Sequence, residues 1–124
     1  MSLTNLRLTV RGSRTNQKKQ MVDFLVDSGA LYSVIDKSIL KKLGVQPTGT
    51  KTFFLANNSS VDRKIGEAYF EYEADGATSR VIFGEPGDSN LLGVTTLENL
   101  GYVLDPLQRK LLHLPMLLAA IKNG

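Results

Sequence analysis

The sequence predicts an all-β domain, a small barrel or sandwich carrying two short helices. Three observations predict it. Strand-like runs are short, numerous and spaced by roughly 8 to 15 residues. Two brief stretches of helical spacing each end on a glycine. Between these segments lie the Gly, Asn, Asp and Pro residues of tight turns. A chain of 124 residues fits one domain with one core. Its 42% hydrophobic and 22% charged residues are ordinary for a globular protein.

The elements follow in order. Leu6, Leu8 and Val10 alternate with Arg7, Thr9 and Arg11, a period-two strand. Gly12 to Asn16 supply turn chemistry, and Met21 to Val26 return as a second strand. Phe24, Leu25 and Val26 are apolar in a row, the pattern of a strand covered on both faces. The period then changes. Ser33 and Asp36 can each cap a helix, Ile35, Ile39, Leu40 and Leu43 recur at helical spacing, and Gly44 follows Lys41 and Lys42. These signals predict a helix near 36–43.

Lys51 to Ala56, Lys64 to Tyr72 and Arg80 to Phe83 predict three strands. Asn57 to Ser60 turn the first pair, and Asp75-Gly76 turns the second. Gly84 to Asp88 break the chain, and Leu91-Leu92 is a short apolar run ending at Gly93. Thr95 or Thr96 opens a second short helix through Leu97 and Leu100 to Gly101. Tyr102 to Leu104 and Arg109 to Leu114 make a last strand pair around Asp105-Pro106. One domain is expected over 1–114. The tail 115–124 is apolar, then polar, and fits either a docked helix or a partner-facing segment.

Composition excludes several chemistries. The chain has no cysteine, which removes thiolate catalysis and disulfides. The single histidine, His113, reads as a strand residue near the surface, and a Ser-His-Asp set is hard to build on it. No cluster of His, Asp and Glu has metal-ligand spacing, so neither a metal nor another cofactor is expected. The net charge of +3 comes from scattered basic residues without interleaved aromatics, which argues against a nucleic-acid partner. Lys41-Lys42 and Arg63-Lys64 read as solvated faces. The apolar runs are too short to span a bilayer. The first residues lack the basic-then-apolar order of a signal peptide, so a cytoplasmic location is expected.

One stretch carries more than architecture. In DFLVDSGALYSVI, residues 23–35, a buried strand runs into Asp27 and a Ser28-Gly29-Ala30 turn. Asp is a poor strand former and is rarely buried without a partner. A plain Asx turn explains it structurally. A catalytic carboxylate explains it chemically. Ser28 offers a hydroxyl, Gly29 lets its N–H point at a carboxylate oxygen, and Ala30 leaves room above the acid. A water held by such an acid can be deprotonated to attack a carbonyl. Amide hydrolysis also needs an acid for the leaving nitrogen, and two carboxylates a few ångströms apart can share one proton. The chain contains only one Asp-Ser/Thr-Gly turn; Asp75, Asp88 and Asp105 read as turn or loop residues. A two-fold homodimer supplies the second Asp27.

These residues resemble the retropepsin-like aspartic proteases, the family that illustrates such coupled acids in general. FLVDSGALYSVI, residues 24–35, is similar to the family's apolar run, Asp-Ser/Thr-Gly-Ala, hydroxyl residue and two aliphatics. NLLGVTTLENLGYVLDPLQRKLL, residues 90–112, is similar to its two aliphatics and Gly, short helix and closing strand pair. LANNSSVDRKIGEAYFEYE, residues 55–73, falls where the family places its flap hairpin, with Asn-Asn-Ser-Ser where viral members are glycine-rich.

The resemblance implies a small closed β-barrel and a homodimeric endopeptidase. Asp27 would be the catalytic aspartate. Ser28 would join a hydroxyl network under the paired acids, and Gly29 would serve water and substrate. Leu91, Leu92 and Gly93 would brace the Asp27 loop. Ala56, Asn57, Asn58, Ser59, Ser60 and Val61 would form the flap tip over an extended polypeptide bound as an added strand. Two rivals stand beside this reading: a non-catalytic dimeric peptide-binding or scaffolding module on the same fold, and a small basic barrel that binds nucleic acid.

Overall fold

The computed structural model describes residues 4–105 and 107–114. The tail expected at 115–124 lies outside the described residues. The chain opens with the predicted hairpin. Strand β1 (Thr4–Arg11) and strand β2 (Lys19–Val26) run antiparallel, Thr4 opposite Val26 and Arg11 opposite Lys19. Period-two alternation sends Leu8, Val10, Val22, Phe24 and Val26 into the core. The opposite face places Arg7 across from Asp23, an exposed ion pair at 2.7 Å.

Next comes a strand the sequence hides. Strand β3 (Ser33–Asp36) covers residues that share the helical spacing of the following segment. Ser33, expected as a possible helix cap, is instead fully buried in β3. Asp36 is the cap: its Oδ1 accepts from the N–H and hydroxyl of Ser38 at 2.8 and 2.6 Å. Helix α1 (Lys37–Lys42) follows, and Gly44 leaves it at φ +78°, where a side chain would be strained.

Strands β4 (Gly49–Phe54), β5 (Ser60–Tyr72) and β6 (Asp75–Gly84) form an antiparallel meander. The second turn sits elsewhere than expected. Tyr72 pairs with Asp75, so Glu73-Ala74 makes the turn, Glu73 at φ +54°, and Asp75-Gly76 belongs to β6. Strand β7 (Leu91–Leu92) is two residues long. Helix α2 (Val94–Leu100) begins one or two residues before the expected Thr95 or Thr96, with Gly93 at its N-cap and Gly101 stopping it at φ +91°. Strands β8 (Tyr102–Asp105) and β9 (Lys110–His113) close as a separate pair. His113 is exposed in β9.

The seven-stranded sheet has the order β1-β2-β7-β3-β6-β5-β4. It curls until β1 also pairs with β5, from Thr9–Glu71 to Arg11–Tyr69. Pairs β2–β7 and β3–β6 are parallel. Inside the curl, Phe24 and Phe70 meet with ring centroids 6.1 Å apart, and Leu97 and Leu100 of α2 cover that core from one side. Burying each such ring stabilises the fold by about 2–3 kcal/mol.

Tyr102 joins the closing strand pair to the meander. The residue is buried, and its hydroxyl donates to Asp75 Oδ2 at 2.6 Å. That bond, aided by burial, pushes the phenol up to about 12 from its ordinary value near 10. The folded value lies above the unfolded one. The contribution is therefore whole below about pH 10 and is lost as pH rises from there toward about 12. In an ultraviolet phenolate titration, one tyrosine of the four should ionise late. Tyr102→Phe should remove that late step, and Asp75→Asn should bring it back toward the ordinary phenol value near 10. A late step that survives Tyr102→Phe would contradict the assignment.

Candidate active site

Pairing with β1 ends at Val26, the last residue of β2, and the chain turns at Asp27. The turn is made locally. Ala30 N–H donates to Asp27 O at 3.0 Å, and Gly29 N–H donates to Asp27 Oδ1 at 2.9 Å, an Asx turn. A Cβ on residue 29 would sit 3.3 Å from that same oxygen, so glycine gives the carboxylate room. Asp27 is half-buried, Ser28 and Gly29 are exposed, and Ala30 is half-buried. The carboxylate thus lies at the surface end of a buried strand.

The loop is then anchored from behind. Asp27 N–H donates to Leu92 O at 3.2 Å. Val94 N–H donates to Ala30 O at 2.8 Å, and Thr95 N–H donates to Leu31 O at 3.0 Å. These amides open α2 and have no partner within the helix. The loop's carbonyls satisfy them, which explains why Gly93 offers no side-chain cap. Gly93 packs directly on the backbone of Tyr32. Leu92 is fully buried and Leu91 half-buried. Asp27 to Ala30 and Leu91 to Gly93 are therefore parts of one assembly.

Beneath it lies a group that sequence reasoning missed. Ser33 Oγ accepts from Gly93 N–H at 3.0 Å and meets Thr96 Oγ1 at 2.5 Å. Thr96 Oγ1 also meets Ser79 Oγ at 3.1 Å. All three hydroxyls belong to buried residues and satisfy one another. The only trace in the sequence is a polar residue among apolar ones: Ser33 two positions before Ile35, and Thr96 beside Leu97. Thr96→Val keeps the shape and strips the shared partner. It should cost about 1–3 kcal/mol, because Ser33 and Ser79 lose the partner their burial requires. Thermal unfolding checks this, and an unchanged midpoint would contradict it.

A cavity of about 680 Å³ opens beside Ala30. Ala30, Leu31, Val34 and Leu91 line one side, and Phe53 and Val61 of the β4–β5 hairpin line the other. Phe53 and Val61 are cross-strand partners. Its size and apolar walls suit peptide side chains. Arg63, read from sequence as part of a solvated face, is instead paired at the cavity's rim with Asp88, Nε to Oδ2 2.9 Å. The guanidinium bond holds the Asp88 carboxyl below the usual carboxylate range.

The hairpin's tip is Leu55 to Ser59, since Ser60 and Val61, expected in the tip, already belong to β5. Asn58 N–H donates to Leu55 O at 3.0 Å, and Leu55 N–H to Ser59 O at 2.8 Å. Asn58 takes φ +67°, a left-handed backbone that Asn tolerates better than most residues. Asn57 Oδ1 accepts from the N–H and hydroxyl of Ser59 at 3.0 and 2.6 Å. Ala56, Asn57, Asn58 and Ser59 are all exposed. Among the described residues, no three His, Cys, Asp or Glu side chains gather as a metal site needs. No helix among them is long and apolar enough to cross a membrane.

An acid-bearing turn of this kind, set on a curled β-sheet and backed by a Leu-Leu-Gly-helix element, points to a class. The chain belongs to the aspartyl protease family, whose model matches residues 7–70. That span includes Asp27, all of β4 and most of β5, and the retropepsin-like resemblance of residues 24–35 stands. The solved structure of Simian Foamy Virus (mac) protease is similar in fold. It matches 77% of this chain and 92% of that one, at 16% identity and a TM-score of 0.54. A retropepsin-like aspartic protease from Rickettsia conorii matches 82% of this chain and 84% of that one, at 24% identity and a TM-score of 0.45. No curated protein matches the sequence.

Proposed function

We propose that this chain is an aspartic endopeptidase whose active site is completed by a second copy of itself. The observation that carries the reading is the Asp27 turn. It is anchored from behind by β7 and α2, yet it presents its acid at the surface beside an apolar cavity. One carboxylate cannot serve both proton transfers of amide hydrolysis. Two Asp27 side chains at a two-fold axis share one proton and divide the work. The ionised one takes a proton from water as the oxygen attacks the scissile carbonyl. The protonated one gives its proton to the carbonyl oxygen. The resulting diol collapses as the amide nitrogen is protonated and the C–N bond breaks.

The surface near the turn supports a second copy. Ser28 and Val103 line one small depression of about 60 Å³. Val103 and Leu112 are cross-strand partners in the β8–β9 pair, each 41% exposed. That apolar strip gains by burial against its own symmetry mate. The β4–β5 hairpin is the flap of this reading, and a substrate strand lies between it and the Asp27 turn.

The test is cleavage of an unfolded protein by the purified chain, with a statine-type peptide as competitor. The reading predicts a dimer by light scattering and one inhibitor bound per two chains, because the mimic spans both acids. A peptide-binding module would bind unfolded chains without cleaving them and would not favour the mimic. Cleavage by a strictly monomeric chain would overturn the pairing.

A further inference from the structure

The outer part of the β4–β5 hairpin is a cantilever. Strand β5 pairs with β6 only from Ile65 onward, so residues 60–64 pair with β4 alone. Strand β4 is the edge of the sheet. A two-stranded ribbon on its own is marginal in water. One side chain ties this ribbon down. Arg63 sends Nε to Asp88 Oδ2 at 2.9 Å and Nη2 to Asp88 Oδ1 at 3.3 Å, a two-point fork. Its Nη1 donates to Asp62 O at 3.1 Å, which fixes the guanidinium plane.

The anchor at the other end is rigid. Glu85-Pro86-Gly87-Asp88 closes with Asp88 N–H donating to Glu85 O at 2.9 Å, Gly87 at φ +95°, as a Pro-Gly type II turn requires. Glu85 N–H donates back to Asp88 Oδ2 at 2.8 Å, and Lys37 of α1 pins Glu85 at 2.6 Å. Arg63 lies two residues past Val61 on the same face of β5. Both line the cavity, and so do Gly87 and Asp88. The fork therefore ties the hairpin wall of the cavity to its turn wall.

We propose that the Arg63–Asp88 pair is a specificity latch: it holds the cavity at one width, so that a bulky apolar side chain of an extended peptide is taken in preference to a small one. The inference rests on the peptide-binding part of the reading above. Shape discrimination needs walls that do not follow the ligand. A half-exposed ion pair adds little to global stability, and its effect is local, on the ribbon it restrains.

Two readouts on the full chain test the latch. The variants are Arg63→Met, which keeps the aliphatic stem, and Arg63→Lys, which keeps the charge but offers no two-point fork to Asp88. Hydrogen exchange reports the amides of residues 60–64. Fluorescence anisotropy reports binding of two extended peptides, one with Phe and one with Ala at a single position, with Asp27→Asn added throughout so that nothing is cleaved. Arg63→Met should speed exchange in 60–64 about tenfold while β6 amides keep their rates. It should also cut the Phe-over-Ala affinity ratio about tenfold. Arg63→Lys should recover part of both, and a lysine variant no better than Arg63→Met in either readout would also overturn the latch. Unchanged exchange, equal acceleration across the whole sheet, an unchanged affinity ratio, or no binding of either peptide would each overturn the latch. Cleavage of the Phe peptide by the native chain is scored apart. Selective binding with no cleavage would sink the endopeptidase reading and leave the latch standing.

Discussion

Asp27→Asn is expected to remove peptide cleavage, lowering kcat/KM by roughly 10⁴-fold, the upper range for loss of a positioned acid–base group. The substitution is nearly isosteric. Its carbonyl oxygen can still accept from Gly29 N–H, the bond that holds Oδ1 at 2.9 Å, and the backbone bonds to Leu92 O and from Ala30 N–H are untouched. The fold and the thermal midpoint should therefore stay as they are. The amide lacks the proton-accepting oxygen, and in a symmetric dimer both copies lose it together. Steady-state cleavage of a denatured protein, read beside thermal unfolding, checks both halves. Cleavage that survives at near-native rates would remove Asp27 from the chemistry.

Gly93→Ala should have the largest effect on stability. The backbone at Gly93 has φ −90° and ψ 168°, an extended conformation that alanine adopts freely, so the cost is steric. A Cβ there would stand 2.5 Å from Tyr32 C, 2.7 Å from Tyr32 O and 2.8 Å from Leu31 O. All three are backbone atoms and cannot rotate away. Leu31 O is held by Thr95 N–H, and Ser33, the residue after Tyr32, is locked in the buried hydroxyl group. Either α2 or the Asp27 loop must shift. The change should cost about 3 kcal/mol, the high end for overpacking, and denaturant unfolding reads it directly. Because Ala30 O and Leu31 O carry the displaced bonds, the Asp27 loop should move with them, and activity per folded molecule should fall. A cost under about 1 kcal/mol would show that the close approach is easily relieved.

How far the sequence reveals this molecule depends on the range of each signal. Local patterns were legible. The alternation of Leu6, Leu8 and Val10 marks β1, the basic residues and Gly44 close α1, and Gly101 closes α2. The Asp27 turn was legible because a carboxylate after Phe24-Leu25-Val26 breaks a local rule. Pairings between distant segments left no such mark. Strand β3 has four residues, and its Ile35 also fits the helical spacing that follows. Strand β7 has two residues and is a strand only because β2 and β3 flank it. The turn at Glu73-Ala74 was displaced by the glycine at 76, whose missing side chain makes space for Tyr69: a Cβ would lie 2.1 Å from its hydroxyl.

The candidate site divides the same way. Asp27, Ser28 and Gly29 are contiguous, and their turn reads off the sequence. Ser33, Ser79 and Thr96 come from three elements, and each alone is an unremarkable hydroxyl. Arg63 and Asp88 stand 25 residues apart, and Arg63 looks like half of a basic surface pair until the 84–89 segment folds beside it. Polar groups that support a site from beneath are chosen by partners far along the chain, so local composition carries little trace of them.

The central claim is that a working site draws one Asp27 from each of two chains, and mixing native chain with Asp27→Asn chain under subunit exchange tests it most directly. At fixed total concentration, activity should fall with the square of the native fraction, to about a quarter in an equal mixture. A fall in simple proportion, to about half, would mean that each chain works with its own acid alone.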